Sequence, residues 1–253
     1  MIRSLIFTLL LLIVLVPGSY AGNYYSPPAI EQKVVHPGNL DLVYLDWFER
    51  QPPLATLRKV RAHYKFFYAF PQVVTPSIQS IYLLEHTKIR LGEKVLDIGS
   101  GTGIQAIFAA EKASKVVATD LSHAAVENTR FNVEGHQLTH KVDSRQGDLF
   151  GPIKDDEKFD VIIFNISYPY DEKTQGLWKV HERFFKQVKN YLLPGGRIYY
   201  QAGWIFNIPR IFSIVQANDL RIMKMNMASA LPHNREPIVF VIIPDPLKVE
   251  IPK

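Results

Sequence analysis

Cysteine is absent from the 253 residues, which excludes a disulfide framework, a thiolate zinc site and a cysteine nucleophile together. Histidine is present eight times, but no set stands at metal-ligand spacing on a shared predicted helix, so no metal is expected. There is no internal repeat or low-complexity tract. Charge of one sign is also scarce. Twenty-nine basic against twenty-four acidic residues leave a formal charge of +5, too sparse to define a polyanion-binding protein by itself. A hydrophobic fraction of 47% with 21% charged residues is the mixture of a folded globular chain, not of a disordered or multi-span membrane protein.

No apolar run is long enough to span a bilayer as a helix. The longest, from Leu5 to Val16 and interrupted only by Thr8, falls short of the roughly 20 residues required. It follows Arg3 and precedes Pro17-Gly18 and the small residues Ser19 and Ala21, which is the layout of a secretory signal. Residues 1–21 therefore read as a signal peptide cleaved after Ala21, with an uncleaved membrane anchor through residues 5–16 as the alternative. An exported or membrane-anchored location is expected.

Residues 22–75 are rich in proline and aromatics without a sustained period and read as an N-terminal arm or cap. Within it, RKVRAHYKFFYAF (58–70) interleaves cations with aromatic rings. Such a mixture can stack on bases and touch phosphates, but a helix docking its aromatic side on the main domain is the favoured reading.

From residue 76 to 253 helical and strand patterns alternate, as expected for an α/β fold with helices on both faces of a mostly parallel sheet. Helices are predicted over 76–89, 103–112, 122–134, 178–191 and 208–217. Strands are predicted over 94–98, 115–119, 143–146, 159–165, 197–201, 221–225 and 238–243. The last follows its predecessor too closely for a crossover helix, so it should insert antiparallel. A Rossmann-like, doubly wound, seven-stranded sheet results.

The strongest motif is VLDIGSGTGIQAIFAA (95–110). A short apolar strand ends at Asp97, a bend carries Gly99, Gly101 and Gly103, and a helix follows. Glycines there let the chain turn tightly and let a ligand approach without meeting a Cβ. The third glycine of a dinucleotide fingerprint is replaced by Ile104, and no Gly-Lys-Ser/Thr triplet follows, so NAD, FAD and Walker-type phosphate binding lose ground. Asp120 ends the next strand, where a carboxylate can accept both hydroxyls of a ribose; capping the following helix is its plainer reading. Asp148, in QGDLF (146–150), follows the third strand.

Asp-Ile-Gly-Ser-Gly-Thr-Gly resembles motif I of the class I S-adenosylmethionine-dependent methyltransferases. The resemblance extends in order over about residues 70–243 and implies S-adenosyl-L-methionine as cofactor. It assigns Asp97, with Gly99, Gly101 and Gly103, to the methionine end, Asp120 to the ribose and Asp148 to the adenine amino group. Leu149 and Phe150 become apolar walls for the adenine ring. The strand FDVIIF runs into Asn165-Ile166-Ser167-Tyr168, where amino-methyltransferases of this superfamily carry Asn-Pro-Pro-Tyr. In those enzymes the asparagine amide and a backbone carbonyl hold the acceptor nitrogen while the aromatic ring stacks on it, which implies positioning roles for Asn165 and Tyr168. Ile166 and Ser167 replace both prolines, which otherwise stiffen the loop. Asn-Ile openings also resemble ribosomal-protein methyltransferases, and Thr75, Pro76 and Gln79 resemble the segment leading into motif I in glutamine-methylating members.

The expected activity is methyl transfer to an acceptor nitrogen. A protein side chain, a small molecule and a nucleic acid are the candidate acceptors in that order. The rival expectation is a non-catalytic protein of the same fold that binds a partner through the 165–170 loop and the basic aromatic arm.

Overall fold

A computed structural model describes residues 58–228 and 237–248, together with the secondary structure of two N-terminal strands, β1 (Gln32–His36) and β2 (Leu40–Leu45). The predicted signal or anchor segment, 1–21, lies outside the described residues. Among those that are described, no helix is long and apolar enough to cross a membrane. β1 and β2 pair antiparallel as a two-stranded sheet.

RKVRA and KFFYA do not form the expected helix. They are strands β3 (Arg58–Ala62) and β4 (Lys65–Ala69) of an antiparallel hairpin. Val60, Ala62, Phe67 and Ala69 are buried on one face, and on the other Lys59 lies 4.4 Å from the centroid of the Phe66 ring. That period of two is the signature of a half-buried strand pair. Lys59 and Arg61 are spent on the cross-strand Phe66 ring on the solvent side, whereas Arg58 lies on the buried face and donates to Phe70 O and Val73 O.

The main sheet is built from β5 (Lys94–Ile98), β6 (Lys115–Asp120), β7 (Val142–Gln146), β8 (Phe159–Phe164), β9 (Leu192–Ala202), β10 (Leu220–Met227) and β11 (Ile238–Pro244). Their order is β10-β11-β9-β8-β5-β6-β7, with β11 antiparallel to both β9 and β10. The last strand thus inserts between its two predecessors, as its short connection demands. Central strands with both faces covered read as continuous apolar runs, and Val161, Ile162, Ile163 and Phe164 of β8 are all inaccessible to solvent.

One face of the sheet packs α1 (Ile78–His86), α2 (Ile104–Ala109) and α3 (His123–Gly135), with the β3–β4 hairpin over α2 and α3. The other packs α4 (Trp178–Val188) and α5 (Ile208–Ala217). In α4 the buried residues Trp178, His181, Phe184, Phe185 and Val188 recur at the three- and four-residue spacing of a single stripe. The chain winds outward from β5 through β6 to β7, then returns to β8 on the other side of β5. The carboxyl ends of β5 and β8 therefore flank a topological switch point, where doubly wound sheets open a crevice.

Three buried polar side chains on α3 join the parts. Asn128 Oδ1 accepts from Phe70 N at 2.7 Å, and its Nδ2 donates to Tyr68 O. Asn132 Oδ1 accepts from Tyr68 N at 2.8 Å while its Nδ2 donates to Tyr68 O and, at 2.8 Å, to Thr102 O. Thr129 Oγ1 donates to Gly101 O at 3.0 Å. Asn132→Ala removes a side-chain partner from Tyr68 N, Tyr68 O and the buried Thr102 O, of which Tyr68 O keeps Asn128. It should lower stability by about 2–3 kcal/mol in chemical denaturation, whereas Lys112→Ala on the exposed surface should change it by less than about 0.5 kcal/mol.

Candidate functional site

The crevice at the switch point has a volume of about 550 Å³, within the range of small-ligand and cofactor sites. Its floor is the bend after β5. Gly99 and Gly101 carry φ of 77° and 54°, the left-handed region that favours glycine. A Cβ on Gly99 would collide with the Ile166 side chain, whereas a Cβ on Gly101 would meet nothing within 4 Å. The first glycine makes room for Ile166 in the loop after β8 and the second leaves a backbone cradle open. Gly103 does something else. It precedes α2 at φ 79°, with Thr129 3.0 Å from where its Cβ would stand, so it permits α3 to pack close and does not line the crevice.

Asp97 does not line the crevice either. It lies beneath the bend, 1% exposed, with Oδ2 accepting from Ala106 N at 3.1 Å and no partner at Oδ1. Burial, only partly offset by that N–H and reinforced by the neighbouring Asp120, pushes its carboxyl up to about 7. Asp120 does stand on the wall. Its Oδ2 accepts from Gly101 N at 3.0 Å and its Oδ1 from Ser122 N at 2.9 Å. Burial raises its carboxyl, opposed by those N–H donors. The cap of α3 is not Asp120 but Ser122, whose hydroxyl accepts from Ala125 N. Each Asp120 oxygen keeps a further lone pair for a ligand.

Beyond β7, Asp148 and Leu149 reach the same wall. Gly147 is fixed by contact, because a Cβ there would strike Pro152. Leu149 is buried and held at φ 50°, a conformation that costs a non-glycine residue roughly 1–2 kcal/mol. Gln72, also on the wall, has φ 66°. Strain of this kind gathers where surrounding structure over-determines a site. Asp148 is half exposed and its Oδ2 pairs with Arg183 of α4, an interaction that the order of motifs did not disclose.

The opposite wall is the loop after β8. Asn165, Ile166, Ser167, Tyr168 and Tyr170 line it, with Gln201 from β9. Asn165 Nδ2 donates to Ser80 Oγ at 3.4 Å, in the first turn of α1, where Ser77 and Ser80 form a capping box. Gln105 Nε2 donates to Ser80 O at 2.7 Å, and its Oε1 is buried without a partner. Thr75, Pro76 and Gln79 line the crevice beside them. Sequence reasoning missed Ser80, Gln105 and Gln201, since polar residues in α1, α2 and β9 carry no motif that marks them. Among the described residues no group of three or more histidines and carboxylates is placed to hold a metal ion.

The donor set fits the cofactor that motif I implies. The Gly101 cradle would be filled by any Cβ, Asp120 offers carboxylate lone pairs at ribose reach, and Leu149 supplies an apolar wall.

Residues 77–213 match the family model described as methyltransferase small domain. The chain is 37% identical over 102 residues to the release factor glutamine methyltransferase of Rhodopirellula baltica, covering 36% of this chain and 34% of that one. It is 32% identical over 141 residues to a putative protein N5-glutamine methyltransferase of Methanocaldococcus jannaschii, covering 50% and 70%. The first of these relatives is thus matched over only about a third of its length. Among solved structures, the ribosomal protein L11 methylase of Lactobacillus delbrueckii subsp. bulgaricus superposes with a TM-score of 0.51 at 22% identity, covering 66% and 76%. At that identity the likeness speaks for the fold.

Asp97 gives a pH signature. With the folded carboxyl raised from 3.8 to about 7, the folded state holds a proton that the unfolded state releases, so its contribution is full below pH 4 and lost as pH rises towards 7. Asp97→Asn should therefore gain stability relative to the parent chain across about pH 4–7 and run parallel to it outside that window, as urea denaturation at stepped pH will show.

Proposed function

Because the chain belongs to the methyltransferase small-domain family, we propose that it transfers the methyl group of S-adenosylmethionine to a nitrogen on a protein side chain or small molecule. The observation that carries this reading is the division of the crevice. Asp120 and Asp148 are the charged residues named along its walls, and both stand on the β6–β7 side. The β8–β9 side presents Asn165, Ser167, Tyr168, Tyr170 and Gln201. One half suits a cationic nucleoside; the other suits a neutral planar group.

Asp120 would grip the ribose, Leu149 and Asp148 would border the adenine, and the Gly99–Gly101 backbone would lie along the rest of the molecule. Asp97 would act from beneath, holding the first turn of α2 and so the shape of the bend. When bound, the cofactor supplies a methyl group already activated on a sulfonium. The protein's own task is then orientation, keeping the acceptor's lone pair in line with that methyl group. The amide of Asn165 is braced by Ser80 and would hold the acceptor nitrogen, with Tyr168 alongside. Both relatives described above are named for glutamine methylation, which supports a side-chain amide as the acceptor.

Isothermal titration with S-adenosylhomocysteine tests the reading. Binding should be saturable, and Asp120→Ala should weaken it by about 10- to 100-fold, the worth of a charge-assisted bond. Asn165→Ala should leave that binding within about threefold yet cut labelled-methyl transfer to N-acetylglutaminamide by at least about 100-fold. Absence of any binding at millimolar ligand would overturn the proposal. Export is proposed separately from residues 1–21: intact-mass measurement of the chain from its native host should find a mature form beginning at Gly22.

A further inference from the structure

Ile166 and Ser167 stand in the 165–170 loop where the resembling amino-methyltransferases carry prolines, leaving Pro169 as its one proline, yet the structure holds the loop from below at three successive residues. His181, on α4 and inaccessible to solvent, places Nε2 3.0 Å from Ser167 O. Asn207 is buried in the turn before α5, and its Nδ2 donates to Pro169 O at 2.6 Å. Between these two carbonyls the Tyr168 ring lies against Gly203, where a Cβ would run into its hydroxyl. The far end is tied as well, since Tyr170 N and Asp171 N both donate to Thr174 Oγ1 at 3.0 Å.

The chemistry of the histidine is determined by its partners. A carbonyl oxygen only accepts, so Nε2 must carry the proton towards Ser167. Nδ1 is then an acceptor, and Tyr200 Oη, 3.0 Å away and buried, must donate to it. Phe164, Trp178 and Tyr200 pack edge-on around the ring at 5.4, 5.7 and 5.7 Å. Burial lowers its pKa to about 4, with the Ser167 carbonyl opposing and Glu182, the neighbouring acid, also opposing. The ring is a neutral, single-tautomer strut.

We propose that His181 is a positioning residue for the acceptor loop, a Tyr200–His181–Ser167 relay that, with Asn207, supplies the rigidity that prolines would otherwise give. The inference rests on the proposed reading of the site, and its test separates the two. Nitrogen-15 NMR of the intact chain should show His181 with its proton on Nε2 and no titration above about pH 5. Hydrogen exchange at the Tyr168 and Tyr170 amides should quicken by about tenfold or more in His181→Phe, the loss of one hydrogen bond. His181→Gln, whose side-chain N–H can still reach the carbonyl, should restore most of the protection. S-adenosylhomocysteine affinity should stay within about threefold in both variants, while kcat for methyl transfer to N-acetylglutaminamide falls about 10- to 100-fold in His181→Phe with KM nearly unchanged. A proton found on Nδ1, unchanged loop exchange in His181→Phe, or failure of His181→Gln to rescue would each overturn the relay. Loss of cofactor binding in the parent chain with the tautomer and exchange pattern intact would overturn the methyltransferase reading alone.

Discussion

The bend between β5 and α2 depends on side chains that reach it from another helix. Thr129 and Asn132, on the buried face of α3, reach across to the carbonyls of Gly101 and Thr102 and so hold open a turn that glycine alone would leave free to move. Ser100 joins them through its hydroxyl, 3.0 Å from that of Thr129. The same Asn132 anchors the β3–β4 hairpin, and through the hairpin the segment 72–75 is brought to the crevice rim. Floor and rim are therefore set by one helix face. Leaving any of these buried backbone groups without a partner costs more than the bond itself is worth, which is why the row tolerates three polar side chains in an otherwise apolar layer.

Burial drives the two buried titratable groups near the site the same way, towards their neutral forms, raising the pKa of Asp97 and lowering that of His181. Asp97 gains a proton because it lies in a dry layer under an acidic neighbour. A cation brought into the crevice above it would favour the charged form and return its pKa towards the ordinary range. His181, its pKa lowered to about 4 by burial, keeps charge out of the layer beneath Ser167 and Tyr168.

Much of the fold was legible in the sequence because it rests on period and punctuation. All seven strands of the main sheet fall where alternating and continuous apolar runs placed them, and the antiparallel last strand followed from a connection too short for a helix. The hairpin 58–69 was not legible. Its turn is His63-Tyr64, with His63 itself at φ 51°, so the Asn-Gly or Asp-Gly signal of a tight hairpin is missing, and small alanines mark its buried face. At the site, the order of motifs brought Gly99, Gly101, Asp120, Asp148, Leu149, Asn165 and Tyr168 to one crevice. It could not show that Asp97 and Gly103 serve from underneath, nor that Arg183 meets Asp148. Those depend on how helices close over the sheet.

Rigidity in the 165–170 loop can come from the chain or from its surroundings, and the difference has consequences. Proline restricts φ whatever lies nearby; a histidine, an asparagine and a glycine restrict the loop only while α4, β9 and the turn before α5 stay in place. Ile166 and Ser167 therefore transfer control of the loop from its own residues to the layer beneath it. That layer is densely packed with aromatic rings: Phe164 stacks on Phe184 at 3.9 Å, and Phe185 meets Tyr200 at 5.1 Å. Rings this close have few alternative rotamers, because protein interiors leave no room for them. Tyr200 is thereby held on Nδ1 of His181, and His181 on Ser167. Local freedom at two positions of the loop is offset by a core with very little of it.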